Sequence, residues 1–231
     1  MIEVCAFSDP DTVRLIPAAY INEPAILPLV DDREELDIIT ALEGMTSSRA
    51  SSFAIPAGVD PAELLNEHYG YGYTLINAAF CHARPPGNRF NNEDRGAWYC
   101  AFGPNANQTA QAEVLFHRTR ALEEAGCFYD IGQYRQLLAG FSCSFHDVRT
   151  VADHPCLQPD PRVAYPIGQA LAKSILAGGG NGILYPSVRF SGGECIAVLR
   201  PSVIQNVRQG AHITFEWTGR AVPHIIEQPV A

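Results

Sequence analysis

Short strand-like runs alternate with a few helices along this chain, and turns rich in Gly, Pro and Asn separate them. A chain built this way must assemble its core from many small pieces rather than from one long helix or repeat. At 231 residues and 47% apolar, it is long enough for one substantial core. No internal repeat and no clear domain boundary interrupts it, so a single domain over 1–231 is expected.

The pattern predicts strands at 3–7 and 13–20, with Asp9-Pro10-Asp11 as the turn between them. A helix is expected over 32–42 and a small polar loop over 46–52. Asp60-Pro61-Ala62-Glu63 reads as the capped start of a short helix that Gly70 ends. Residues 71–82 look β-like, 84–92 form a turn region and 97–102 a strand. A helix is expected over 108–125, stopped by Gly126. Residues 127–148 show no readable pattern, and 152–161 read as a loop. A further helix is expected over 166–177, ended by Gly178-Gly179-Gly180. Strands at 182–185, 195–199 and 212–217 complete the reading.

Charge and cysteine usage exclude several classes. The formal charge is −9, the wrong sign for a nucleic-acid binder. Lys173 is the only lysine, so nearly every cation is an arginine, whose rigid fork suits carboxylates and phosphates. The seven cysteines are odd in number and none pair as CxxC, which speaks against a disulfide framework or a zinc site. Buried free thiols are expected. The scattered histidines show no metal-ligand spacing, and no metal is expected. No apolar run approaches the roughly 18–20 residues a bilayer span needs, and residues 1–10 carry no basic signal. A soluble, cytoplasmic protein without a membrane role is therefore expected.

Taken singly, the candidate site residues have ordinary explanations. Arg89 reads as a loop cation after a Pro-Pro-Gly turn, and Tyr99 as one aromatic of a buried strand. Glu113 reads as a first-turn acid favoured by the helix dipole, and Ser187 as a polar residue at a strand end. The 178–182 glycine run lacks a phosphate-loop ending, and Ser187 lacks a nucleophile elbow. His117, four residues after Glu113, could share its helix face.

Their order and setting say more. Val13-Arg14-Leu15-Ile16 is followed by Gly87-Asn88-Arg89-Phe90-Asn91, then by Ala97-Trp98-Tyr99-Cys100-Ala101. Next come Thr109-Ala110-Gln111-Ala112-Glu113-Val114 and the segment Gly182-Ile183-Leu184-Tyr185-Pro186-Ser187-Val188-Arg189. This series resembles the RES family, named for its Arg, Glu and Ser. The likeness covers roughly residues 13–207.

The resemblance implies a compact α/β (α+β) mixed-sheet fold similar to ADP-ribosyltransferase toxins. An extra N-terminal helical insertion at about 31–70 would be added to it. It also implies cleavage of the nicotinamide–ribose bond of NAD+, with phosphorolysis to ADP-ribose 1″-phosphate and nicotinamide as the expected outcome. NAD+ would be substrate rather than cofactor, and inorganic phosphate the co-substrate. Arg89, Tyr99, Glu113 and Ser187 would be the pocket residues, with Arg14 and Arg189 as further phosphate contacts. Within that pocket, Glu113 would stabilise the sugar cation and Arg89 would hold the phosphates. Tyr99 would wall the nicotinamide and Ser187 would hydrogen-bond substrate oxygens. The family also implies a toxin with an Xre-like helix-turn-helix antitoxin as partner, and a homodimer. Two other functions remain: a protein ADP-ribosyltransferase using the same pocket, and an inactive RES domain serving as a binding module. Asn92 stands where the family often has proline after its Asn, so the 88–92 loop is expected to differ in shape.

Overall fold

A computed structural model describes residues 2–21, 55–151 and 153–229. One seven-stranded mixed sheet organises the chain, in the order β1-β2-β5-β4-β3-β6-β7. Its strands are β1 (Glu3–Pro17), β2 (Trp98–Phe102), β3 (Tyr129–Asp147), β4 (Gly182–Pro186), β5 (Glu194–Val198), β6 (Gln205–Thr218) and β7 (His224–Gln228). The described helices are α1 (Tyr73–Cys81), α2 (Ala106–Ala125) and α3 (Pro161–Ala177). An additional β1–β3 pairing closes β1, β2, β5, β4 and β3 into a ring, from which β6 and β7 extend.

The ring is tight on one side and split on the other. β1 and β3 pair antiparallel from Glu3↔Asp147 to Pro17↔Tyr134. β1 meets β2 at a single register, Val13↔Ala101, and then diverges from it. Strand alternation sorts the side chains onto two faces. Trp98, Cys100 and Phe102 of β2 join Phe141, Phe145, Leu184, Ile196 and Val198, and α1 adds Ile76 and Phe80. The opposite face carries Val13, Leu15, Ala101, Ile183, Tyr185 and Ala197, and α2 and α3 cover it with Ala110, Ala172 and Ile175.

Several expectations change. The two N-terminal strands are one: Asp9-Pro10-Asp11 is a bulge within β1, where three residues advance against two of β3. Pro10 is tolerated because a bulge leaves a backbone donor unneeded. Residues 71–82 are not a strand but contain α1. Its sequence is apolar almost all round, so alternation and helical period cannot be told apart there. Gly72, at φ 94, opens the helix, and Ile76 and Phe80 go to zero exposure one turn apart. The unreadable stretch 127–148 is β3, buried on its far half by neighbours on both edges. β7 is not among the expected strands; all five of its residues, Ile225 and Ile226 included, are exposed, so no buried face imposes an alternating pattern on it.

Helix α3 begins at Pro161, earlier than the expected Pro166. Asp160 caps it through the Arg162 N–H, and Pro161 takes the first helical position while Pro166 sits inside. Within the expected insertion, residues 31–54, including the helix at 32–42 and the loop at 46–52, lie outside the described residues. The predicted helix from Asp60 is instead two separate 3-10 turns, Pro61–Glu63 and Glu67–Tyr69. The capping box at Asp60 and Glu63 is present, but Leu64 turns extended and ends the first turn at once. All seven cysteines are free, as expected, but only Cys100, Cys156 and Cys195 are buried; Cys5, Cys81 and Cys143 are partly buried and Cys127 is exposed.

Candidate active site

The split between β1 and β2 opens a cleft of about 820 Å³, solvent included, against α2 and α3. Arg14, Arg89, Tyr99, Glu113 and Arg189 all line it, together with His117, Tyr165 and Tyr185. Residues far apart in sequence are thus gathered by β1, the loop before β2, β2 itself, α2, α3, and β4 with the turn after it.

Arg89 sits on a tight loop ahead of β2. Gly87, at φ 80, is required there, because a Cβ would stand 2.1 Å from the Asn91 carbonyl oxygen. The Arg89 side chain is only 6% exposed. Its Nη1 donates to the Cys156 carbonyl and, at 3.1 Å, to that of Gln158. Its guanidinium lies 5.8 Å from the Tyr165 ring centroid. Helix α3 presses on the same loop: a Cβ on Gly168 would stand 2.1 Å from the Arg89 carbonyl oxygen.

Tyr99 holds this loop. Its hydroxyl donates to Asn91 Oδ1 at 2.8 Å and accepts the Phe90 N–H at 2.9 Å. Burial pushes its phenol well above the usual range. The one hydroxyl proton is therefore spent inside the protein. Tyr99→Phe is expected to cost about 1–2 kcal/mol, because it strands a backbone N–H and an amide oxygen. Urea denaturation measures this; an unchanged midpoint would show that the loop does not depend on the hydroxyl.

Glu113 is the eighth residue of α2, which starts at Ala106. It is past the first turn, so the helix dipole does not account for it. Ser187 Oγ donates to Glu113 Oε1 at 2.7 Å and accepts the backbone N–H groups of Arg189 and Phe190, each at 3.1 Å. The turn carrying Ser187 is closed by its N–H to the Gly193 carbonyl at 2.8 Å. Ser187 thus stands behind Glu113 and orients it, and is not among the cleft-lining residues. Burial raises the Glu113 carboxyl above its ordinary 4.5; the Ser187 hydrogen bond and the charges of Arg189 and Arg89 oppose that rise.

Three guanidiniums line this cleft, and those of Arg89 and Arg189 act directly on the carboxylate. Arg14 Nη1 donates to the Tyr99 carbonyl at 3.1 Å, its guanidinium 4.8 Å from the Trp98 ring centroid. Burial brings Arg14 down to about 10, still charged at neutral pH. Arg189 stacks on the Phe116 ring at 3.4 Å and donates to the Pro159 carbonyl at 3.0 Å. Burial and the neighbouring Arg89 charge lower it, while Glu113 and Tyr165 counter this. The cleft is thus cationic although the protein is acidic. No group of three or more potential metal ligands occurs among the described residues.

Tyr165 is not among the site residues that the sequence points to. The expected helix starts only at about this residue; the Asp160 cap puts Tyr165 inside the first turns of the helix, and it stands on the cleft wall. No described helix is long and apolar enough to cross a membrane.

A search of curated proteins finds no match to this sequence. The family model of the RES domain matches residues 63–218, a span that holds Arg89, Tyr99, Glu113, Ser187 and Arg189. That span is more than half the chain, and its mixed α/β sheet is of the ADP-ribosyltransferase-like kind; the protein belongs to the RES domain family.

Proposed function

We propose that this protein degrades NAD+ by cleaving its nicotinamide–ribose bond. The observation that carries the reading is Glu113, oriented by Ser187 in a cleft ringed by Arg14, Arg89 and Arg189. NAD+ brings two phosphates and a cationic leaving group. Arginine forks suit the phosphates. As the bond to nicotinamide breaks, positive charge grows on the sugar, and a nearby carboxylate stabilises it. A bound pyridinium also favours the ionised form of Glu113, against the burial that raises its pKa.

Tyr99 and Tyr165 both line the cleft and supply aromatic rings suited to a flat substrate group. Hydrogen phosphate is the acceptor we favour, because a cleft with three arginines accommodates a further anion. A toxin role, with an Xre-like helix-turn-helix antitoxin covering the cleft, belongs to the same proposal.

The test is to incubate purified protein with NAD+ in buffers with and without phosphate and to separate the products. Nicotinamide with ADP-ribose 1″-phosphate is expected in phosphate, and ADP-ribose is the expected product of any turnover without it. NAD+ left intact in both buffers would overturn the reading. Nicotinamide release only when a protein acceptor is added would indicate ADP-ribosyl transfer instead.

A further inference from the structure

Helix α2 presents a second functional side chain to the cleft one turn beyond Glu113. His117 lines the same cavity and reaches solvent there. The i,i+4 spacing stacks the two residues on one helix face. Its ring meets Phe116 edge-on at 5.2 Å between centroids, and among the described residues no hydrogen bond engages either ring nitrogen. Several neighbouring side chains already have protein partners. Ser187 is bound to Glu113, Arg89 to the 156–158 carbonyls, Arg189 to Pro159 and Tyr99 to Asn91. An uncommitted imidazole beside an oriented carboxylate is available to a third party.

We propose that His117 is the general base that takes the proton from a hydroxyl-bearing acceptor, water or hydrogen phosphate, as that acceptor captures the ribosyl carbon. The proposal rests on the NAD+-cleaving reading above. In the step, the bond from C1 of the nicotinamide ribose to the pyridinium nitrogen breaks. Its electron pair goes to that nitrogen and leaves neutral nicotinamide. A lone pair on the acceptor oxygen forms the new C–O bond. The acceptor's O–H proton passes to the unprotonated ring nitrogen of His117 and then to solvent.

The charges around His117 suit this task. Arg189 from the β4–β5 turn and Arg89 from the loop before β2 face it. Arg120 lies one turn further along α2, Glu113 one turn back, and Tyr165 and Tyr185 stand on the cleft walls. The packed atoms around the ring, then Arg189, Arg120 and Arg89, lower its pKa from the ordinary 6.5. At neutral pH the imidazole is free to accept a proton, and only below that range is the base lost.

His117→Gln keeps a polar side chain but cannot act as a base. In the NAD+ assay, kcat is expected to fall about 10²-fold or more with a much smaller change in KM. The acid limb of the wild-type kcat profile, expected below pH 6.5, should lose the part that His117 contributes and keep only that of Glu113. Should the Gln variant not fold, His117→Ala serves, with added imidazole expected to restore turnover. Runs with and without phosphate show whether one base serves both acceptors. Wild-type kcat and an unchanged acid limb in the folded Gln variant would overturn this proposal alone. NAD+ left intact by the wild type would overturn the NAD+ reading, and this proposal with it.

Discussion

Glu113→Gln is expected to reduce NAD+ cleavage about 10³-fold while raising the melting temperature at neutral pH. The two effects share one cause. The carboxylate is placed where charge will develop on substrate, and before substrate arrives that placement is unfavourable. Burial raises its pKa, and the hydrogen bond from Ser187 and the arginine charges reverse only part of the rise. The folded state therefore holds a proton on this group more tightly than the unfolded chain does. The sign follows by linkage: Glu113 lowers stability progressively as pH rises from the unfolded value toward the higher folded one. Glutamine removes that cost and can still accept from Ser187. The variant's stability advantage should fade below about pH 4.5, where the unfolded carboxyl is itself protonated. Thermal melts at pH 4 and pH 7, run beside the NAD+ assay, check both halves. A Gln variant within tenfold of wild-type activity, or one that melts lower at pH 7, would contradict the assignment.

The opposite sign is expected at Glu63. Arg95 grips this carboxylate with both terminal nitrogens, at 2.9 Å from Nη2 to Oε2 and closer still from Nη1 to Oε1. The side chains are 10% and 20% exposed, so the pair is largely out of water. Arg95 also donates to the carbonyls of Gly58 at 3.1 Å and Leu199 at 2.5 Å, and lies over the Phe80 ring. It thereby ties residues 58–63 to the end of β5. Removing one partner of a buried pair leaves the other charge uncompensated. Glu63→Ala is expected to cost about 3 kcal/mol. For a chain of this size that is roughly 10 °C in melting temperature. Burial alone would raise the Glu63 pKa, but the Arg95 hydrogen bond and charge outweigh it and the net shift is downward. Its contribution is therefore full above the ordinary carboxylate range and is lost as pH falls through the depressed folded value. Calorimetry between pH 3 and pH 7 should show the wild-type advantage over Glu63→Ala shrinking toward acid. A difference below about 1 kcal/mol at neutral pH would mean the pair does little beyond a surface ion pair.

Glu63 also shows what was readable and what was not. Its capping role at Asp60 follows from three residues of local sequence and is present. Its pairing with Arg95, 32 residues away, leaves no local trace. The same division runs through the site. Ordered motifs were enough to name Arg14, Arg89, Tyr99, Glu113 and Ser187 together, because each motif keeps its residue at a set place on a strand end, turn or helix. The work each hydroxyl does was not legible. Tyr99 and Ser187 both look like substrate contacts in the sequence. In the fold, one anchors the Arg89 loop and the other orients Glu113.

By itself, then, the sequence determined the family, the mixed α/β class, the position of β2, β4 and β5, and the end of α2 at Gly126. Local chemistry decides those: short apolar runs bounded by turn residues, a left-handed glycine, a chain of short motifs. Only the tertiary structure decided that residues 73–81 coil rather than extend, and that 129–147 form one long strand. An apolar run satisfies either period, so which one forms depends on the neighbours that bury it. Only the tertiary structure, too, made a cationic cleft in an acidic protein. Net charge sums over the whole surface. A binding site depends on which few side chains the split between β1 and β2 brings within reach of one another.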